Sequence, residues 1–217
     1  MMSAFVLIWD SMNRGEIRDA VKQRLAIPAS GDGQLTNTVL DDLINRALTV
    51  IAGARDWPWL ISTFSLTFET STGQAFLPND FIRARQLVYN GYPVLWVQLE
   101  DFLNPDRTYA TFAWTIIGNK AQITPVPSTD ISATLYYYRN EPELISDYST
   151  PLMPSKDHNI IIAYTAYLGA MVRQDDARAA TYIAEYRSLL NDMRDDLKQS
   201  TSRRIRYGSG YTYASWS

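Results

Sequence analysis

Apolar residues recur along this chain with two periods, and the places where one gives way to the other divide it into helix, strand and helix again. Ile17, Ala20, Val21 and Leu25, with Arg24 alongside, fall on one stripe of a helix. Asn13 with Glu16 three residues on has the form of a capping box at its start, and Pro28 bounds its end. Residues 29–34 form a Gly-rich loop. Thr36 and Thr38 then offer N-cap oxygens, Asp41 and Asp42 are expected in the first turn, and Leu40, Leu43, Ile44, Ala47, Leu48 and Ile51 keep helical spacing. That second helix should stop between Gly53 and Asp56, because Pro58 biases Trp57 away from helical angles.

Between residues 60 and 140 the period is two. Phe64, Leu66 and Phe68 alternate with Ser65, Thr67 and Glu69 as a half-buried strand does, and Ser71-Thr72-Gly73 turns it. Asn90-Gly91 and Gly118-Asn119 each separate two strand-like runs and read as two-residue hairpin turns. Pro125 and Pro127 end the strand after the second turn, and residues 131–138 supply another, rich in Tyr and β-branched residues. The middle therefore predicts one small antiparallel sheet of hairpins. Pro154-Ser155 opens a helix whose residues 160–168 are apolar nearly all round, the pattern of a buried central helix. In the next helix Ile183, Tyr186, Leu190, Met193 and Leu197 form a seam, with Arg187, Asp192, Arg194 and Asp195 on the wet face.

Helical patterning ends near Gln199, and residues 201–217 are expected to leave the fold as an extended arm. Arg203, Arg204, Arg206, Tyr207, Tyr211, Tyr213 and Trp216 have the composition of interface anchors, and the Gly and Ser between them let an extended segment fit a groove. Aromatics could also stack on single-stranded nucleic acid, but three arginines on an acidic chain make a thin electrostatic footprint, so a protein partner is favoured.

Composition narrows the chemistry. The chain has 217 residues, 46% of them apolar, with a formal net charge of −3, enough for one core without disulfides or metals and unlike a protein that grips DNA through a basic stripe. It contains no cysteine and one histidine, which excludes thiol chemistry, zinc fingers and His-based metal sites. No cofactor and no metal are expected. The apolar run of residues 4–9 is too short and too poorly flanked for a signal peptide, and no stretch approaches the roughly 20 residues of a membrane span, so a soluble, cytoplasmically made protein is expected.

A family resemblance rests on the order of several pieces: two N-terminal helices, Ala54-Arg55-Asp56-Trp57-Pro58-Trp59, a hairpin sheet entered through Phe76-Leu77-Pro78-Asn79-Asp80-Phe81, Ile116-Ile117-Gly118-Asn119 before Thr124-Pro125-Val126-Pro127, Leu135-Tyr136-Tyr137-Tyr138-Arg139, and Thr150-Pro151-Leu152-Met153-Pro154 before paired helices. In this order residues 12–197 resemble the head-to-tail adaptors of tailed bacteriophages, the tail tubular protein A group and related head completion proteins. The patterning predicts an α+β fold in which two N-terminal and two C-terminal helices (residues 13–59 and 151–200) form a four-helix bundle, because the apolar helix at residues 160–168 must be surrounded. The hairpin sheet (60–150) is inserted between them, with an N-terminal extension (1–12) and the extended arm (201–217). The resemblance implies a structural virion protein at the head-tail junction, made in the bacterial host: a homo-oligomeric ring of twelve copies between the portal and a tail or nozzle protein. Double-stranded DNA is present only in transit, and there is no membrane and no catalysis. The tail anchors would then meet the portal or a neighbouring subunit.

Local features have plainer readings. Trp57, Pro58 and Trp59 read as a helix stop with two aromatics covering the core. His158 reads as a surface or capping histidine, not a catalytic base. Asp41-Asp42, Asp175-Asp176 and Asp195-Asp196 are adjacent pairs that cannot face one another on a helix, and read as solvated helix ends. Gly31-Asp32-Gly33 lacks the strand before it and the Lys-Ser/Thr after it that a phosphate loop requires, and reads as a turn. Two other functions stay open: a protein-binding scaffold module outside virions, and a carboxylate-dependent hydrolase, which would need two of Glu100, Asp101, Asp106, Glu141 and Glu143 to converge.

Overall fold

The computed structural model describes residues 11–104 and 106–207, with side chains to residue 198. The chain forms two compact units, one from Met1–Ile51 with Pro142–Ser217, the other from Ala52–Glu141. Helix and sheet are segregated between them, as an α+β protein requires.

The first unit is helical. Helix α1 (Arg14–Leu25) begins with the expected capping box: Glu16 N–H donates to Asn13 Oδ1 at 3.0 Å and Asn13 N–H donates to Glu16 Oε2 at 2.8 Å. Helix α2 (Asn37–Gly53) starts on Thr36, whose hydroxyl accepts from Val39 N–H, so Asp41 and Asp42 lie beyond the first turn, not within it. The loop between them is the expected turn, with Gly31 at φ 86° and the Asp32 carboxylate accepting from Gln34 and Leu35 N–H. Helix α4 (Asn159–Val172) is buried on most sides and packs on α1 and on α5 (Asp176–Tyr207). Asp175 caps α5 by accepting from Arg178 N–H. The C-terminal carbonyls of α1 are satisfied from across the unit. Tyr182 Oη donates to Arg24 O at 2.7 Å and Arg173 Nη1 donates to Leu25 O at 2.9 Å, where a cation also suits the helix dipole. Helix α5 runs past Gln199, so residues 201–207 have a helical backbone where an extended arm was expected. Ser and Arg tolerate a helix, and nothing between Gln199 and Tyr207 is a Gly or Pro stop.

The second unit differs from the expected single sheet. Strands β1 (Ile61–Phe68), β3 (Phe81–Tyr89), β4 (Tyr92–Pro93) and β8 (Ile131–Arg139) form one sheet in the order β1-β8-β3-β4, all antiparallel. Strands β2 (Gln74–Phe76), β5 (Leu95–Trp96), β6 (Ala113–Ile117) and β7 (Lys120–Thr124) form a second, in the order β2-β7-β6-β5, with β5 parallel to β6. Both hairpin turns are where the sequence puts them. Asn90 and Gly91 have φ of 49° and 81° between Tyr89 and its partner Tyr92, and Gly118 has φ 62° between Ile117 and Lys120. The chain after β4 crosses to the other sheet, and the short helix α3 (Leu99–Phe102) lies in the connection back to β6. The core holds Leu66, Phe68, Leu87, Trp114, Ile123 and Leu135. Phe64, expected on the buried face with Leu66 and Phe68, is 41% exposed on the outer strand β1. Trp57 is fully buried ahead of a 3-10 turn (Pro58–Leu60), its ring stacked on Trp59 at 4.6 Å, in keeping with the helix-stop reading.

Candidate functional site

The seven tail residues divide at the limit of the described chain. Arg203, Arg204, Arg206 and Tyr207 lie on the last turns of α5, and Tyr211, Tyr213 and Trp216 lie outside the described residues.

The sheet unit carries a second candidate surface. An open groove of about 610 Å³ runs along β3 and is walled by β5 and β6, with Phe81, Ile82, Val94, Trp96, Trp114 and Ile116 as its apolar lining and Arg83 and Arg85 at its rim. Ile82 and Trp96 are about half exposed, whereas Trp114 is 1% exposed and meets Trp96 edge to face at 4.7 Å. The Trp114 indole Nε1 is buried without an acceptor, an uncommon state for a donor removed from water. Arg83 pairs with Asp56. Arg85 is exposed and has no acidic partner among the described residues. A separate apolar depression of about 560 Å³ beside the β3–β4 turn is lined by Tyr89, Tyr92, Pro93, Phe112 and Pro125. Tyr92, Leu95, Leu99 and Leu103 are also exposed. Single-sequence patterning misses the groove because its walls come from strands of two sheets; the one signal for it is the density of Trp and Phe in residues 81–114.

Charge in the helical unit is concentrated at one place. Arg18 donates to both Asp41 oxygens at 3.0 Å and to both Asp147 oxygens at 2.9–3.0 Å, and Arg14 donates to Asp147 at 2.8 Å and to Leu144 O at 2.9 Å. These bonds hold the Asp147 carboxyl far below the usual carboxylate range and raise the Arg18 pKa, Asp147 being the larger influence on Arg18. Asp41, expected as part of a solvated helix end, is thus a largely covered ion-pair member. Asn45 adds a clasp, its side chain accepting from Leu144 N–H at 2.9 Å. Asp196 pairs with Lys156 and Asp195 with Lys198 on exposed helix surface.

His158 is the clearest departure from expectation. It is 1% exposed at the start of α4, not on the surface, and its Nε2 sits 3.0 Å from Met153 O, so that nitrogen carries the proton. Nδ1 is buried with no partner among the described residues, and burial pushes the imidazole pKa below its ordinary value, with the Met153 carbonyl opposing. Of the candidate hydrolytic acids, Glu100 and Asp101 sit on α3 with Asp101 paired to Arg107 at 3.1 Å. Among the described residues, no group of three or more His, Asp or Glu is placed to hold a metal ion. No described helix is long and apolar enough to cross a membrane.

No curated protein matches the chain. A family model does, over residues 12–210: nearly the whole helix, sheet and helix succession, from the capping box of α1 to beyond the end of α5. The chain accordingly belongs to the SU10 adaptor protein family and is a structural adaptor of the phage virion, the kind of protein that the order of its sequence motifs resembles.

Proposed function

We propose that this protein forms a ring, twelvefold as in the resembling adaptors, that joins the portal of a DNA-filled capsid to a tail or nozzle protein and leaves a channel for the DNA. The observation that carries the reading is the family match across residues 12–210, on a chain whose helical and sheet units are separately compact. Two units suit an adaptor, since one surface can face each neighbour. In this reading α1, α2, α4 and α5 pack as a four-helix bundle, and the residues after it reach the portal or the next subunit. Arg203, Arg204, Arg206 and Tyr207 leave on α5, with Tyr211, Tyr213 and Trp216 following as aromatic anchors. Each enclosed aromatic contributes about 2 kcal/mol, and repetition around a closed ring multiplies attachment because later engagements are intramolecular.

The experiment is truncation after Gln199. Tyr186, Leu190 and Met193, the last buried positions of α5 among the described side chains, are retained, so the shortened protein should keep its fold. It should fail to bind purified portals and to complete heads; portal binding equal to that of the full chain would place the docking surface on the helices instead. DNA passes such a ring without being held, in keeping with the net charge of −3. The inner surface is then neutral to negative, and tight, salt-sensitive binding of duplex DNA at physiological salt would contradict the channel reading.

A further inference from the structure

The groove along β3 is incomplete in two independent respects. Its floor is apolar and open, with Ile82 48% and Trp96 49% exposed. Its polar edge is open too: β4 pairs with β3 at Val88 and Tyr89, so among the described residues no strand lies beside β3 from Phe81 to Gln86 on the side away from β8. An extended apolar segment would answer both, covering the floor and bonding to the strand edge.

The chain supplies such a segment. Residues 1–10 lie outside the described part of the structure and ahead of the family match, and residues 4–9, Ala-Phe-Val-Leu-Ile-Trp, are apolar without interruption. Six extended residues span about 20 Å, the length of the six uncovered residues of β3. Asp10 follows directly, and Arg85 at the groove rim has no acidic partner among the described residues, so the charges match at the end of the run.

We propose that residues 4–9 of one copy lie along β3 in the groove of a second copy, with Asp10 of the donor paired to Arg85 of the acceptor. The proposal rests on the reading that copies stand side by side in the assembly. It gives each subunit an apolar link to the next that is separate from the portal-binding residues 201–217.

A chain without cysteine allows a direct test. Full-length Leu7→Cys protein is mixed under mild oxidation with size-tagged full-length Ile82→Cys protein, and with Phe76→Cys as the control, another exposed apolar site outside the groove. Both acceptor positions are exposed, and circular dichroism checks that the variants fold. The expected result is a covalent heterodimer with Ile82→Cys, formed at least tenfold faster than with Phe76→Cys. Arg85→Glu in the acceptor should slow it at least tenfold, and Asp10→Arg in the donor should restore it. Equal rates at the two positions overturn the proposal, as does failure of the charge exchange. A Leu7→Cys/Ile82→Cys double variant that closes only within its own chain overturns the assignment to a second copy. Portal binding by these same proteins reads the adaptor function separately: if it persists while the crosslink fails, only the segment assignment is lost.

Discussion

The imidazole of His158 has one nitrogen on the Met153 carbonyl and the other enclosed with no acceptor, so its charged form would bury an unpaired N–H. Its pKa is lowered in the folded protein; the unfolded chain therefore takes up the proton first as pH falls through about 6.5, and stability declines from there downward through the folded value. Since the chain has a single histidine, its ring resonance can be followed without assignment, and it should titrate below the ordinary value. His158→Gln should flatten the loss of stability that sets in below about pH 6.5. The Asp147 carboxyl adds to acid sensitivity at lower pH with the same sign: its pKa is depressed by Arg18 and Arg14, and its contribution is present above the ordinary carboxylate value and lost below it. Arg18→Met should shrink that second phase, leaving the part due to Arg14, and leave the histidine phase unchanged, as urea denaturation across pH would show. Neither residue reveals itself in sequence, because the partners that matter, Met153 for the histidine and Asp147 for Arg18, are fixed only by the packed fold.

At the scale of elements, the close approach of α4 to α1 turns on Gly169. A Cβ there would lie 2.6 Å from Leu25 Cδ1 and 3.5 Å from Leu35 Cδ1, and Leu25 and Leu35 are both buried. Alanine gains about 1 kcal/mol in helix propensity, while forcing a methyl into a filled core costs roughly 1–3 kcal/mol. Gly169→Ala should therefore give no stabilisation and a loss of up to about 2 kcal/mol by those same magnitudes. In a Leu25→Ala background the loss should shrink, a coupling a double-mutant cycle measures. Ile162→Asp, on the most enclosed helix, should prevent folding altogether, since an unpaired buried carboxylate costs several kcal/mol against a total of about 5–15 kcal/mol. Sequence legibility follows the same division between local and distant causes. The capping box of α1, the Asn90-Gly91 and Gly118-Asn119 turns and the buried face of α4 are dictated by neighbours in the chain, and they stand where the pattern puts them. The division into two sheets was not legible, because it depends on β5 leaving its hairpin to run parallel to β6. The groove was hidden for the same reason, and the end of α5 shifted because a polar run without Gly or Pro does not itself stop a helix.

For the whole molecule, the helical unit is assembled from the two ends of the chain while the sheet unit is one continuous stretch. Arg14 bonds to Leu144 across 130 positions, and Tyr182 bonds to Arg24 across 158. During translation the sheet unit, residues 52–141, can leave the ribosome with all its strands present, whereas α1 and α2 must wait for α4 and α5. The usual order in which the N-terminal part folds first should thus be reversed here. Nascent chains stalled once residue 141 has cleared the exit tunnel should hold a protease-resistant core containing residues 61–139, with the first 50 residues still cleavable. Protection of those residues should appear only on chains released at full length. Assembly on the proposed portal would then wait for the completion of synthesis, since the residues proposed to dock there lie at and beyond the end of the last helix to be made.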